Sequence, residues 1–327
     1  MIEVKPYSKE FEEQHIAFAQ KYWTKKRRFT PEYIYWKFRG AENKPLNSFI
    51  LAFDGDQVVG QFGVVPSEIS IDGVVYQTQW ACDLMVDTNY RGKGVAEKLY
   101  EFAHENCIIT LGSDPSPAAE KSMLKKGYIS ILGPRKFIFP VKVGEIFKLK
   151  GYNSRFLNTI PNPFVLLLKC FSANAFSEIE SKEFFHLKSN KIEPKIHCSY
   201  DESFIDWRFS SFKNYYNGIE CYQKNATTFF CGYFVNGIYY LTDFNVKHVF
   251  QFLSIIGFIC KKYKNDKLVR IKFLSNTRSI SLILPFLGFI RFRTLTKVIL
   301  FSKEKSIREK AFSNTFYYTL FDSDENI

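Results

Sequence analysis

No two cysteines of this 327-residue chain form a CxxC pair, and none of the seven stands at a ligand-like spacing from any of the five histidines. That excludes the common zinc patterns, and an odd, scattered set suits reduced thiols in a core. No metal cofactor is expected. Long apolar runs are also missing: the stretches at 250–260 and 280–290 are too short to cross a bilayer and are interrupted by polar or helix-breaking residues. The opening MIEVKPYSKEFEEQ puts charges where a secretory leader needs an apolar core, so a cytoplasmic protein is expected.

What is present points to a packed globular chain. Hydrophobic residues make up 46% and aromatics 18%, with 35 Phe and 19 Tyr, which argues against disorder. The length suggests two domains. A net charge of +12 suits nucleic acid, anionic lipid or a phosphorylated small molecule. The basic residues are spread along the chain instead of forming one stripe, and no nucleic-acid motif accompanies them. Neither a nucleic acid nor a membrane is therefore an expected partner.

Periodicity gives a mixed α/β order. A helix carrying Phe11, Phe18 and Tyr22 on one face precedes PEYIYWKF, where Pro31 suits a first helical turn. A meander follows over 48–53, 58–65, 68–71 and 74–86, its hairpins marked by Asp54-Gly55 and Asp72-Gly73. Then come a helix over 92–104, a strand over 107–111, a helix over 116–126 ending at Gly127, and a strand pair over 128–143. The pattern turns irregular near the Pro161, Pro163 cluster. The expected division is therefore a first domain over 1–145, a helical linker over 146–180 and a second domain over 181–327.

The second half echoes the first. FIDWRF at 204–209 resembles YIYWKF at 33–38, and a turn at Asn236-Gly237, an apolar helix over 249–263 and a strand over 268–274 follow in the same order. Gly288-Phe289 sits where Gly127-Tyr128 sat, so a duplication is the economical reading.

One stretch breaks the echo. VDTNYRGKGVAEKL passes from a strand end through a basic glycine turn into a helix, whereas the copy has NVKH there. A helix N-terminus offers unpaired N–H groups and partial positive charge, Gly92, Gly94 and Ala96 add no bulk, and Arg91 and Lys93 supply charge at the rim. The spacing suits a phosphate. It is not a P-loop, since the lysine-serine/threonine ending is missing, nor a dinucleotide fingerprint, since Glu97 takes the third glycine's place.

The run Arg91-Gly92-Lys93-Gly94-Val95-Ala96, preceded by LMVDTNY, resembles the pyrophosphate loop of the GCN5-related N-acetyltransferases (GNAT), (Gln/Arg)-x-x-Gly-x-(Gly/Ala). Ser116, Ala119 and Gly127-Tyr128 fall at the spacing of that family's next helix, beside the pantetheine arm. The motifs cover about 49–141, and the likeness over 219–302 is of fold alone. The resemblance implies an α/β fold with a mixed sheet: tandem GNAT-like acyl-CoA N-acyltransferase domains, the second degenerate and without the coenzyme loop. It implies acyl-CoA as co-substrate and direct transfer of the acyl group to an amine. Two departures stand out: Met123 occupies the place of the tyrosine that often acts as general acid, and Ser116 that of a common asparagine.

The same resemblance implies that the strand carrying Leu84 and Val86 diverges from that at 107–111, and that an amide, that of Met85, bonds the thioester carbonyl. The coenzyme would then lie against Leu84, Val86, Arg91, Gly92, Lys93, Gly94, Val95, Ala96, Ser116 and Ala119. A base must take the amine's proton, and strand alternation sets Asp83 apart from Trp80, Cys82, Leu84 and Val86. Asp83 reads equally as that base or as the partner of a structural arginine, and His104 is a further candidate. Trp80, Trp207, Arg208, Asp322 and Asp324 are candidates for the acceptor; an anchoring Trp on a helix and a solvated acidic tail are the plainer readings of the last four.

The two-part length, the WKF and WRF elements and the DSD ending resemble bacterial N-acyltransferases of nucleotide-linked amino sugars, such as a dTDP-linked 3-amino-3,6-dideoxyhexose used in cell-surface polysaccharide. An acetyltransferase for a protein or small-molecule amine and a non-catalytic CoA-binding module are the competing expectations.

Overall fold

A computed structural model describes residues 1–23, 29–41, 44–148, 151–171, 176–189, 195–210, 218–275, 277–314, 316–320 and 322. The first half runs β1 (Ile2–Tyr7), α1 (Glu12–Ala19), α2 (Pro31–Lys37), β2 (Leu46–Asp54), β3 (Gln57–Ile71), β4 (Val74–Val86), α3 (Val95–Glu105), β5 (Ile109–Ser113), α4 (Pro117–Lys125) and β6 (Ile129–Pro140). α5 (Val143–Lys148), α6 (Pro163–Phe171) and β7 (Ser177–Ile179) follow. The second half runs α7 (Ser181–Ser189), β8 (Ile196–Ser199), α8 (Glu202–Ser210), β9 (Glu220–Asn225), β10 (Thr228–Val235), β11 (Ile238–Asn245), α9 (Val249–Lys262), β12 (Arg270–Ser275), α10 (Arg278–Ile283), β13 (Ile290–Ser302), α11 (Lys305–Ser313) and β14 (Phe316–Tyr317).

The hairpin turns have the conformations that their residues favour. Asp72 and Gly73 take φ of 51° and 82°, and Asn236 and Gly237 take 50° and 78°, so both turns join antiparallel strands with left-handed central residues. Thr30 caps α2, accepting from Tyr33 N–H, with Pro31 at the first helical position.

All the strands belong to one mixed sheet, ordered β1-β2-β3-β4-β5-β13-β6-β12-β11-β10-β9-β7, with β8 beside β3 and β14 beside β8. Each half contributes an antiparallel meander that ends in a parallel pair, β4 with β5 and β11 with β12. The halves then exchange their last strands: β13 lies against β5, and β6 lies against β12. α1 and α2 in the first half, and α7 and α8 in the second, pack on one face, while α3 and α9 pack on the other.

Three expectations change. The separate strands over 58–65 and 68–71 are the single strand β3, which pairs with β4 without a break from Gly63 to Ile71. The strand pair over 128–143 is the single strand β6, which runs through Gly133-Pro134 because β13 and β12 flank it; Thr296 Oγ1 donates to the Pro134 carbonyl at 2.7 Å. The expected boundary at 181 falls where α7 begins, whereas that at 145 cuts α5, and packing crosses both. Ile196, Cys198, Ile307, Phe316, Tyr318 and Leu320 are buried in the core of the first half, and the exchanged strands bind the halves along a shared ladder.

The halves also meet at their echoed motifs. The Trp36 and Trp207 rings lie 6.0 Å apart, and Trp207 Nε1 donates to the Trp36 carbonyl at 2.8 Å.

Candidate active site at the splayed strands

β4 and β5 are paired only through Thr78–Ile109, Gln79–Thr110 and Trp80–Leu111. Past Trp80 they diverge, because a bulge turns β4: Asp83 and Leu84 face the single residue Phe62 on β3. Asp83 takes φ of 50°, and an added residue of this kind sharpens the local twist. The divergence expected near Leu84–Val86 is present and begins at Ala81.

The bulge also corrects the alternation drawn from the sequence. Trp80 and Cys82 pack in the core beneath α2 together with Met85, whereas Ala81, Leu84 and Val86 pack on the α3 side. One extra residue reverses every side chain beyond it. The backbone follows suit. Asp87 N–H donates to the Val59 carbonyl at 2.9 Å, so the Gln61–Met85 pair, two residues back in the same register, is also a bonded one. The Met85 amide therefore faces β3, and the Val86 amide faces the splay, which passes the expected oxyanion role from Met85 to Val86.

At the end of β4, Asp87 caps a short 3-10 turn by accepting from Asn89 N–H at 2.9 Å. Gly92 and Gly94 then take φ of 76° and 79°, and a Cβ on either would meet nothing within 4 Å. Their conformation requires glycine, and the space above them is open. Val95 is buried, and α3 comes close to β3 where Gly60 sits, since a Cβ there would lie 2.9 Å from Val95 Cγ1. The helical ladder begins with Lys98 N–H donating to Gly94 at 3.2 Å, which leaves the preceding amides without a helical acceptor. Arg91 and Lys93 are exposed, Ala96 is half-buried, and neither basic side chain enters an ion pair among the described residues. The loop can thus offer bare amides and two cations to a diphosphate.

Ser116 caps α4, accepting from Ala119 N–H at 3.3 Å, so these two candidates serve each other locally. Met123 is buried against Gly112 and presents no acid.

The Asp83 carboxylate accepts from Lys37 Nζ at 2.6 Å, and Lys37 is only 2% exposed. Beneath it, His15 Nε2 donates to Gln61 Oε1 at 3.1 Å, and Gln61 Nε2 donates to the Asp83 carbonyl at 3.3 Å. Burial holds the His15 imidazole down at about 4, against the bond from Gln61. Sequence reasoning missed Lys37, His15 and Gln61. The echo carried a signal for the first: Lys37 and Arg208 occupy the same place in WKF and WRF, and both are buried.

The remaining candidates are dispersed. Trp80 is packed between Phe316 and Tyr318 in the core. His104 is buried, stacked on Phe301 with ring centres 3.7 Å apart and sharing a 2.7 Å hydrogen bond with Tyr128. Burial first, and then the Lys303 and Lys126 charges, hold it at about 4. Trp207 is half-buried at the meeting of the halves, and Arg208 is buried next to it. Asp322 is also buried: it accepts from Thr319 N–H at 2.6 Å and from Tyr200 O–H, whose oxygen in turn lies 3.1 Å from Lys188 Nζ. The expected solvated tail is thus an internal anchor at this residue, and Asp324 lies outside the described residues.

A glycine loop at a helix start beside a bulged, splaying strand is the arrangement that the sequence resemblance implies. Residues 3–108 match the acetyltransferase (GNAT) domain family. The fold agrees over far more of the chain. A GCN5-related N-acetyltransferase from Kribbella flavida superposes with a TM-score of 0.60 at 10% identity, covering 92% of this chain and 72% of that one. One from Anabaena variabilis gives 0.58 at 13%, with the same coverage. The N-myristoyltransferase of Saccharomyces cerevisiae with bound myristoyl-CoA gives 0.57 at 14%, covering 92% and 79%. No curated protein sequence matches the chain significantly.

The chain therefore has the GNAT fold in tandem, and its first third matches the GNAT domain family. Among the described residues no cluster of metal-ligating side chains occurs, and no helix is long and apolar enough to cross a membrane.

Proposed function

We propose that the chain transfers an acyl group from acyl-CoA to the amino group of a sugar carried on a nucleoside diphosphate, for cell-surface polysaccharide. The observation that carries the acyl-transfer reading is the opening of β4 from β5 directly beside the unfilled amides of the Gly94 helix start. Those amides, with Arg91 and Lys93, would hold the coenzyme's diphosphate. Leu84 and Val86 would flank its arm in the place of a missing strand. Acyl-CoA supplies the activated carbonyl. The Val86 N–H would donate to the carbonyl oxygen as charge develops there, and most of the acceleration would come from positioning.

The acceptor nitrogen would approach from the α2 face, where Asp83 stands. Lys37 orients that carboxylate, and Asp83 would take the proton that the attacking nitrogen sheds. With Met123 buried, the departing thiolate draws its proton from another group or from water. The nucleotide on the acceptor is suggested by the net charge of +12, which suits further phosphates.

The test is thiol release from acetyl-CoA with a panel of amines: nucleotide-linked amino sugars, free amino sugars, aminoglycosides and peptides. Release with the nucleotide sugars alone supports the acceptor; release with another amine keeps the chemistry and removes the sugar. Asp83→Asn is expected to lower turnover about 100-fold with CoA affinity unchanged. Tight CoA binding with no thiol from any amine would leave a binding module.

A further inference from the structure

Acidic residues are missing from two long stretches of the chain. Asp and Glu number 33 in 327 residues, yet none falls between Glu145 and Glu178 or between Asp266 and Glu304, where lysines and arginines continue. The fold sets these two stretches against each other. The first doubles back on α5, with Val143 N–H donating to the Ile160 carbonyl and Gly144 N–H to that of Leu157, both at 2.9 Å. α6 then packs on α9 and meets the turn before β13, where a Cβ on Gly288 would strike the Phe164 ring. Both stretches expose large apolar side chains. Phe147, Tyr152, Phe156, Leu166 and Leu167 are exposed on the first and Phe286 on the second, with Tyr152, Phe156 and Phe286 at 69%, 73% and 82%. Lys148, Arg155 and Arg291 are exposed in the same stretches, and the bounding Glu145 is buried beside Lys148 and Arg270.

We propose that this face rests on a bilayer surface carrying anionic headgroups, with its apolar side chains in the boundary between headgroups and acyl chains. An exposed apolar cluster calls for a partner that removes it from water, and stretches with bases but no acids select a partner of negative charge. A bilayer with anionic lipid supplies both, since apolar burial and the attraction of Lys and Arg to the headgroups add. A second copy meeting this face with its own would set like charges against each other, and a nucleic acid would leave the leucines in water. α6 has nine residues, so it lies along the surface and does not cross it. The spread of bases along the sequence argued against a membrane; the acid-free stretches become one face only where α6 packs against α9 and Gly288.

Flotation of the full chain with vesicles of phosphatidylglycerol and phosphatidylcholine in equal parts tests the proposal, with pure phosphatidylcholine as the uncharged control. The mixed vesicles should bind the chain at least tenfold more tightly than the control, and about 0.5 M NaCl should release it. Phe156→Ser and Phe286→Ser should each weaken binding about tenfold, and Arg155→Gln about fivefold, with circular dichroism unchanged because all three side chains are exposed. Phe312→Ser should stay within twofold of the parent: this side chain is 74% exposed, but it sits on α11, whose Ile307 and Ala311 pack in the core of the first half. No flotation at millimolar lipid would overturn the proposal and leave an acidic protein as the partner of this face. Equal binding to both vesicles, binding indifferent to salt, Phe156 and Phe286 variants that bind like the parent, or an equal loss in Phe312→Ser would each overturn it as well. None of these results depends on the chain transferring an acyl group.

Discussion

Between β4 and α3 the first half places a basic glycine turn; between β11 and α9 the second half places Asn245, Val246, Lys247 and His248, and His248 makes no side-chain cap. The framework around the two turns is otherwise repeated. β11 also bulges, where Cys231 and Gly232 face Asp243 and Leu241, and it also parts from its parallel neighbour. Bulge and splay therefore belong to the fold and persist without the loop, while the loop is a separable addition. The opposite asymmetry appears on the other face, where the first half is plugged by Phe316 and Tyr318 and the second, among the described residues, holds a cavity.

The largest difference between the halves should be in how they answer the loss of a buried lysine. Lys188 is hydrogen-bonded to Asp243 and Tyr200, near Asp322, and although burial opposes the charge, the two carboxylates keep its ammonium above the ordinary lysine range. Lys188→Met leaves both carboxylates buried and should cost about 4 kcal/mol in urea unfolding. Lys37→Met strands only Asp83, which is partly exposed, and should cost less. Equal losses would deny that the tail anchor makes the second site the more demanding.

Acid sharpens the comparison next, because His15 and His104, each held at about 4, both belong to the first half. Unfolded imidazoles protonate near 6.5, so their contribution is complete above that pH and is lost as pH falls through 6.5 towards 4. Over those two and a half units each amounts to about 3 kcal/mol. His15→Gln should flatten the fall in urea midpoint between pH 7 and pH 4.5; an unaltered slope would mean that other groups set the acid sensitivity.

At the loop itself, Gly94→Glu combines left-handed strain with repulsion and should raise the Kd for CoA about 100-fold, near 3 kcal/mol, by calorimetry. Lys247→Glu, at the corresponding turn, should change it by less than twofold. Comparable losses would erase the functional distinction between the halves. The smallest effect concerns helix caps. Ser116→Ala should destabilise by about 1 kcal/mol, whereas Thr277→Ala, before α10, should be nearly neutral, because Thr277 makes no side-chain cap bond.

The glycine turn, the Asp-Gly and Asn-Gly hairpins, the Ser116 helix start and the missing loop of the copy were legible in the chain, because each depends on neighbours within a few residues. Asp83 was visible as a polar residue in an apolar strand; its orientation was not, since the bulge takes its register from β3. Lys37 was hidden within a helix that reads as an aromatic anchor.

Sequence by itself determined where most helices and turns begin, that the chain is doubled, and which half carries the basic glycine turn, since dihedral preference and cap bonds act locally. Tertiary structure alone decided the exchange of β6 and β13, the lysine opposite Asp83, the burial of Asp322 and the contrast between plug and cavity. Those rest on strand register and on contacts between residues far apart in the chain, where one slipped residue turns an inward side chain outward.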